Sequence, residues 1–261
     1  MTLLAVLTLA SACRAGAPLP EANPYVRALV AVQRRNEEAL SLYTYDVSET
    51  REELDGDGQV ARRRTRAYEV FHVQGRPVRR LVSRDGQPLP TTEREHVDRK
   101  ARELAAALRA GTAVSEQPGV RLSRILERYD FTLAGREELE GRCALVFDFT
   151  PRPGDFPLER DFVLRKLAGR LWVDEAEQAV VRLELRNTGS VRVALGLAAN
   201  VASVAFRAEF TRLEQGVWLP RRFEGSAAGR KLVFVGFHVR DLMSFGNFRR
   251  FEVDVQEQIR P

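Results

Sequence analysis

Apolar and polar residues alternate over long stretches in the second half of the chain, with the period of two that is typical of β-strands with one buried face. The segments between these stretches are short and rich in turn-forming residues. Because short turns join antiparallel neighbours, the pattern predicts about ten sequential strands in one antiparallel sheet. The clearest apolar alternations are Leu145, Phe147 and Phe149; Val181, Leu183 and Leu185; Val204, Phe206, Ala208 and Phe210; and Val233, Val235, Phe237 and Val239.

Three segments have the helical period instead. Asn23 and Pro24 predict the start of a helix, with Asn23 as its N-cap, and this helix is expected to end near Leu42. A second helix is predicted between residues 92 and 111, and a short third helix over residues 122–129. The last two strands of the chain are predicted at residues 231–242 and 248–255.

The alternation leaves one face of the sheet apolar and the other mostly charged, as in antiparallel sheets that pack on one side only. A sheet of this size curls as it twists, so its apolar side becomes concave. The predicted fold class is therefore α+β and mainly β. It is a large curved antiparallel sheet, or half-open barrel, with two or three helices covering the concave face.

About ten strands offer more apolar area than short helices can bury, and three outcomes stay open: a fully packed core, an oligomer interface or a ligand cavity. Under the third outcome, the concave face binds a hydrophobic ligand. The candidate ligand-binding residues are Leu145, Phe147, Phe149, Leu183, Leu185, Phe206, Phe210, Val235 and Phe237.

The chain has 261 residues and a formal net charge of +5, from 41 basic and 36 acidic residues. Residues 18–261 are expected to form a single domain, since no long linker divides the strands. The densest basic run is Arg62, Arg63, Arg64 and Arg66, which indicates a solvated outer face or, as the alternative, contact with an anionic membrane surface. Nucleic acid is not expected as a partner, because no recognition module accompanies the arginines.

The first 17 residues predict an export signal, because an apolar run at residues 3–10 precedes a series of small residues. Two cleavage sites compete. One is an ordinary signal-peptidase site at residues 15–17; the other is a lipobox-like sequence that ends in Cys13, which would then be lipidated, and this form is preferred. A buried N-terminal helix is the remaining alternative. Either cleavage places the mature protein in the periplasm or on the outer membrane. Cys143 then has no internal partner and is expected to be a small buried hydrophobe.

The residue inventory argues against catalysis and metal binding. Two cysteines and three widely separated histidines, His72, His96 and His238, have no zinc-binding spacing. The chain contains no Gly-rich phosphate loop and no GxSxG sequence, and no motif places two carboxylates together. We therefore predict no catalytic residues, no metal and no cofactor.

Two short sequences in the strand region add a family resemblance. The sequence GRLWVD at residues 169–174, with VVRLE at residues 180–184, and the sequence GVWLP at residues 216–220 resemble strands of the LolA/LolB-like superfamily of periplasmic lipoprotein carriers and related lipoprotein-sorting proteins. The resemblance implies a half-open barrel with helices on its concave side, acyl chains of lipids or lipoproteins as ligands, and no catalytic residues. A carrier is the leading hypothesis; an envelope sensor or interaction module that does not transport is the alternative.

Overall fold

The structure is a computed structural model that describes Cys13 and residues 18–112, 121–155, 164–193, 199–214, 216–231 and 235–250. The predicted apolar signal at residues 3–10, the cleavage site at residues 15–17, Val233 and residues 251–255 lie outside the described residues.

The α-helices among the described residues all lie in the first half of the chain. They are α1 (Ala22–Leu40), α2 (Thr91–Arg109) and α3 (Leu122–Arg128). The strands before α2 are β1 (Tyr43–Leu54), β2 (Val60–Val73), β3 (Arg76–Arg84) and β4 (Gln87–Pro88). The strands after α3 are β5 (Tyr129–Leu139), β6 (Arg142–Pro151), β7 (Leu167–Asp174), β8 (Ala179–Asn187), β9 (Val191–Val193), β10 (Ala199–Arg212), β11 (Trp218–Lys231) and β12 (Val235–Arg250).

The strands form one antiparallel sheet in the order β4-β3-β2-β1-β12-β11-β10-β8-β7-β6-β5, with β9 added beside β10. β1 pairs with β12, so the first and last described strands meet in the middle of the sheet. Within the described residues the two edge strands, β4 and β5, do not pair with each other, and the sheet is open. The predicted fold class, a large curved antiparallel half-barrel with covering helices, is confirmed.

The end of the sheet differs from the prediction. In place of two strands at residues 231–242 and 248–255, one strand, β12, continues from residue 235 to residue 250. Gly246 and Asn247 look like a turn in the sequence. Gly246 instead pairs with Asp46, and the register between β1 and β12 shifts directly after it, so that Asn247 and Phe248 together face Tyr45 in a bulge. Asn247 adopts φ 52° and its side chain donates a hydrogen bond to Asp46 Oδ2 at 2.7 Å, so a single bulge takes up the extra residue.

The start of α1 also differs from the prediction. The N-cap position is Glu21, and no side chain caps the helix. Asn23 has another role: its Oδ1 accepts a hydrogen bond from the backbone N–H of Phe131 at 3.0 Å. Because β5 is an edge strand, this bond satisfies a backbone donor at the edge and ties the start of α1 to it. None of the described helices is long and apolar enough to cross a membrane.

One face of the sheet carries a continuous apolar row that crosses five strands. Directly paired residues in an antiparallel sheet point to the same side, so this row defines what we call the inner face. α1 and α3 pack on this face, where Val26, Leu29, Ile125 and Leu126 bury against it. The row consists of Phe147 on β6, Leu171 on β7, Leu183 on β8, Ala208 on β10 and Phe223 on β11.

α2 packs on the opposite face, at the β2–β3 edge. Val70 pairs with Tyr45 on the inner face, so its neighbour Phe71 points to the other side. There Phe71, Val73 and Val78 pack against one side of α2 in a separate small core. Two of the three helices, α1 and α3, therefore cover the inner face, and α2 stabilises the edge of the sheet.

Cys13 and Cys143 form a disulfide with a Cα–Cα distance of 5.2 Å. The prediction that Cys143 is a free, buried thiol was therefore wrong. Cys143 would have no internal partner if Cys13 were removed or lipidated, but the structure places the two sulfurs together. A sulfur in a disulfide cannot carry a lipid at the same time, so lipidation of Cys13 describes a different state of the chain and stays a prediction.

Gly169, the first residue of the GRLWVD sequence, provides a test of strand packing in β7. It faces Leu185 of β8, and a Cβ atom at this position would lie 1.9 Å from the carbonyl oxygen of Glu184. Gly169→Ala should therefore push the two strands apart and lower the free energy of unfolding by about 1–3 kcal/mol. Urea unfolding measures this loss.

Gly225 is the matched control on β11, because the nearest atom to a Cβ there is Phe206 Cδ2 at 3.9 Å, an ordinary contact. Gly225→Ala should change the free energy of unfolding by less than about 1 kcal/mol. Equal losses for the two variants would contradict the close approach of β7 and β8.

Candidate functional site

Four of the candidate ligand-binding residues lie in the packed core. Leu145, Phe147, Phe149 and Leu183 are each at most 3% exposed and belong to the cluster beneath α1 and α3. Tyr25 of α1 stacks on Phe147 with a centroid distance of 5.6 Å. A ligand could reach these side chains only if α1 moved away from the sheet.

Three further candidates, Leu185, Phe206 and Phe210, are half-buried and pack against the rim of this cluster. Phe206 continues into two rings that the sequence analysis did not select. Its ring centroid is 5.7 Å from that of Phe223, which is 4.7 Å from that of Phe245. We call Phe206, Phe223 and Phe245, all on the inner face and all half-buried, the aromatic strip.

Two members of the aromatic strip, Phe223 and Phe245, are not among the predicted ligand-binding residues. Phe245 lies between the two strands predicted at residues 231–242 and 248–255, and Phe223 belongs to none of the clear apolar alternations. A weak signal exists, since Val239, Met243 and Phe245 keep the alternation of β12 and only Asp241 interrupts it. The register that brings these residues beside Phe223 is a property of the folded sheet.

The last two candidates, Val235 and Phe237, lie at the beginning of β12, away from Phe245. Val235 is 57% exposed, and Phe237 is half-buried. They share the inner face with Phe245 by alternation. Eight residues separate Phe237 from Phe245, which is roughly 26 Å along an extended strand. The structure therefore does not bring these two residues together with the aromatic strip.

α1 lies over the core as a cover that polar contacts hold at several points. Glu37 accepts hydrogen bonds from the backbone N–H and the hydroxyl of Ser123 in α3, at 2.8 and 2.7 Å. Asn36 Oδ1 accepts a bond from the backbone N–H of Trp218 at 3.4 Å, and Arg34 forms an ion pair with Glu127. Such contacts can be exchanged for water, so the polar anchors of α1 oppose its displacement less than its buried apolar side chains do.

A weakly paired carboxylate lies beside the aromatic strip. Asp241 faces Arg51 across the β1–β12 pair, with 3.8 Å between Asp241 Oδ1 and Arg51 Nε. That oxygen is shielded from solvent and accepts no hydrogen bond from the described residues. Burial raises the pKa of Asp241, and the nearby Arg51 opposes the rise. Asp241 also pairs with Gly225, whose missing side chain leaves a notch between this carboxylate and Phe206.

A cleft of about 520 Å³ is lined mostly by residues of the opposite face of the same strands, together with Phe206, Gly225 and Asp241. Its walls carry charged side chains, among them Glu52, Arg222, Glu224 and Arg240. Glu52 bonds Arg240 at 3.2 Å, and Arg222 pairs with Glu224 at 2.6 Å. We interpret this cleft as an ion-paired outer surface and place the candidate site at the aromatic strip, because an apolar ligand needs an apolar wall.

The outer face also has an apolar cluster that the alternation did not predict. Trp172 and Trp218 pack there with Val146 and Val181, and both indoles are at most 7% exposed. Val181 was expected on the same side as Leu183. A bulge between Trp172 and Val173 shifts the register, so that Val180 joins the inner core and Val181 the outer cluster.

Ionic side chains shield this outer cluster. The indole N–H of Trp172 donates to Glu137 and that of Trp218 to Glu177, each at 2.8 Å. Burial alone would raise the pKa of Glu177, but the hydrogen bonds from Trp218 and Arg212 and the charge of Arg142 lower it. Every polar group of the two indoles is thus paired, which makes this cluster a structural element of the sheet.

The basic run of β2 is largely matched by acidic residues of β1. Arg63 lies 2.8 Å from Glu52, and Arg64 lies 3.4 Å from Glu53. Exposed pairs of this kind contribute little to stability, about 0–1 kcal/mol each. They do reduce the positive charge available to an anionic membrane surface, and so they favour the solvated-face interpretation of this run. Among the described residues no group of three or more His, Cys, Asp or Glu side chains is placed to hold a metal ion.

The chain is similar in fold to several solved structures. A structure described as an outer membrane lipoprotein-sorting protein domain, from Vibrio parahaemolyticus, matches with 10% identity and a TM-score of 0.38, over 89% of this chain and 95% of that chain. A LolA superfamily protein from Nitrosomonas europaea matches with 11% identity and a TM-score of 0.35, over 87% and 94%. The MucA/MucB complex of Pseudomonas aeruginosa matches with 13% identity and a TM-score of 0.25, over 86% and 99%.

No protein-family model matches this chain, and no curated protein matches it. At 10–13% identity the likeness concerns the fold alone. The ligand and the activity have to be argued from the geometry of this chain.

Two tyrosines on the inner side, the buried Tyr129 and the half-buried Tyr25, test how α1 and α3 are packed. The hydroxyl of Tyr129 donates to the carbonyl oxygen of Leu164 at 2.7 Å, whereas the buried hydroxyl of Tyr25 has no partner among the described residues. Tyr129→Phe should lower the free energy of unfolding by about 1 kcal/mol, and Tyr25→Phe should leave it unchanged or raise it. Thermal and urea unfolding of the two variants check this difference.

Because of the same two tyrosines, we expect the free energy of unfolding to fall at alkaline pH. Burial raises the pKa of Tyr25 and of Tyr129 to about 12, from the ordinary value of 10.0. Their neutral forms therefore stabilise the fold fully below pH 10, and this contribution is lost as the pH rises from about 10 to about 12. The alkaline loss should be smaller in each Phe variant than in the wild type; equal losses in all three proteins would contradict the buried state of both hydroxyls.

Proposed function

We propose that this protein is an exported envelope protein that binds an acyl chain of a lipid or lipoprotein on the inner face of its sheet, as a carrier. The observation that carries the proposal is the aromatic strip, three contacting rings that continue the core beyond α1 and stay half-buried. The disulfide between Cys13 and Cys143 supports export, because disulfides persist in oxidising compartments such as the periplasm. We also propose that residues 18–261 act as one domain.

The size of the aromatic strip sets a requirement on the mechanism. Three adjacent strands span only about 10 Å across the sheet. Burying about eight methylenes there would contribute about 6 kcal/mol, whereas association costs about 4–15 kcal/mol in lost freedom. The aromatic strip alone therefore binds a chain weakly. Firm binding requires additional apolar surface, and the nearest such surface lies under α1.

α1 is the element that would supply this surface. If it shifts, the Glu37–Ser123 and Asn36–Trp218 bonds are exchanged for water, and an acyl chain replaces α1 against Phe147 and its neighbours. Release is the reverse, since α1 covers the emptied apolar wall again. Such a cycle involves binding and displacement only and needs no catalytic group.

An interaction module that uses the same surface is the second candidate function. The observation in its favour is the tight packing of Leu145, Phe147, Phe149 and Leu183 under α1, which leaves no open channel through this cluster. In that case the aromatic strip docks an apolar segment of a partner protein, and α1 stays in place. Binding of free fatty acid distinguishes the two functions.

Phe206→Glu tests the acyl-binding proposal. Because position 206 is half-buried, the new carboxylate can reach water, and the melting temperature should fall by only a few degrees. The same charge lies on the aromatic strip and should disfavour the binding of an apolar acyl chain there. We expect binding of a fluorescent long-chain fatty acid to weaken at least about tenfold, on the order of 1.4 kcal/mol. Phe147→Glu should instead unfold the protein, because that ring is fully buried.

Ala205→Glu is the matched control. Ala205 precedes Phe206 on β10, is exposed and points to the opposite face, so this variant adds the same charge to the same strand. It should bind fatty acid like the wild type. Equal weakening by both variants, or no binding by a folded wild type, would sink the carrier proposal. No fatty-acid binding together with capture of a protein partner that Phe206→Glu abolishes would favour the interaction module.

A further inference from the structure

The disulfide connects the N-terminal end of the described chain with the β5–β6 hairpin. Cys143 lies near the start of β6, and Cys13 Sγ is 3.7 Å from the carbonyl oxygen of Glu137 in β5. Pro18 contacts the same strand, because its carbonyl oxygen accepts a hydrogen bond from Arg136 Nη2 at 3.5 Å. The chain is therefore anchored on this hairpin at two points before α1 begins.

The processing routes expected from the sequence are not compatible with this disulfide. Cleavage after Ala17 removes Cys13, and lipidation converts its sulfur to a thioether, so both routes leave Cys143 as a free thiol. A third site has the right chemistry: Ala10 and Ala12 are small residues at the third and first positions before Cys13, the spacing of an ordinary signal-peptidase site. Cleavage there removes the apolar run at residues 3–10 and keeps Cys13.

We propose that the export signal is cleaved between Ala12 and Cys13, and that Cys13, as the first residue of the mature chain, is oxidised to the disulfide with Cys143. The proposal rests on export, as proposed above, and not on the acyl ligand. It replaces lipidation as the fate of the Cys13 sulfur. The Cα–Cα distance of 5.2 Å lies in the usual range for disulfides.

The oxidation balances by thiol–disulfide exchange with an oxidised protein dithiol of the periplasm. The thiolate of one cysteine attacks the oxidant's disulfide and forms a mixed disulfide, and one thiolate of the oxidant leaves. The second cysteine then attacks the mixed disulfide, so the Cys13–Cys143 bond forms and the oxidant leaves as a dithiol. Two protons and two electrons pass from the protein to the oxidant.

This bond has a structural role that follows from its place in the chain. It closes a loop of 130 residues, which restricts the unfolded chain strongly. It also holds the segment before α1 on β6 near the turn of the β5–β6 hairpin, whereas the Asn23–Phe131 hydrogen bond holds the start of α1 toward the other end of β5. The cross-link therefore favours the position of α1 on the inner face.

The first experiment is the intact mass and free-thiol count of the protein purified from the cells that naturally produce it. We expect a chain that begins at Cys13, carries no lipid and has no free thiol until it is reduced, when two appear. A chain that begins at Pro18 with one free thiol would overturn the proposal. So would a lipidated Cys13 with one free thiol. An uncleaved chain in the cytoplasm would overturn both this proposal and export.

Two precursor variants locate the cleavage. Ala12→Leu removes the small residue directly before Cys13 and should cause the uncleaved precursor to accumulate. Ala17→Leu is the matched control, since it alters the competing site in the same way, and it should be processed like the wild type. Accumulation of precursor in Ala17→Leu and normal cleavage in Ala12→Leu would overturn the proposed site.

Cysteine variants test the disulfide separately from processing. Cys13→Ser and Cys143→Ser should each lower the melting temperature by about 5–15 °C, and the double variant should melt with the single variants, because all three lack the same bond. Reductant should lower the melting temperature of the wild type to that of the variants and leave the double variant unchanged. A loss in Cys143→Ser with none in Cys13→Ser would overturn the pairing.

Discussion

The apolar inner face of an open sheet is the constraint on which the rest of this structure depends. The row from Phe147 to Phe223 crosses five strands and must be removed from water. A closed barrel would bury it from both sides, but the edge strands β4 and β5 do not meet in the described sheet. The row is therefore covered from one side only, by α1 and α3, and the aromatic strip extends beyond this cover.

The polar features of the fold follow from this arrangement. A helix that covers part of an apolar face needs anchors at its ends, and Asn23, Asn36 and Glu37 supply them by bonding backbone groups of β5, β11 and α3. Away from the edge that α2 covers, the outer face needs no helix, because its arginines and carboxylates pair across neighbouring strands. The apolar cluster around Trp172 and Trp218 lies beneath such pairs. Under the proposed function, stability and ligand access both depend on α1.

The disulfide and the proposed ligand site both depend on how α1 is held on the sheet. Under the proposed function an acyl chain reaches the core surface only when α1 moves, whereas the Cys13–Cys143 bond fastens the chain before α1 to β6. A helix that is tethered near its beginning can move away from the sheet at its other end and return. The apolar row is covered whenever α1 lies on the sheet, which limits the apolar surface exposed to water.

The sequence by itself determined the elements, the antiparallel pairing and the inward direction of Leu145, Phe147, Phe149 and Leu183, because these depend on local periodicity and short turns. It did not determine the long β12 or the side of Val181, since each depends on a bulge whose position only the neighbouring strand selects. The predictions for Asn23 as an N-cap and for Cys143 as a free thiol were wrong, because their partners, Phe131 and Cys13, lie more than 100 residues away along the chain. Only the tertiary structure decided the aromatic strip and the disulfide. A contact between distant segments leaves no periodic pattern in the sequence of either segment, so the sequence alone does not reveal it.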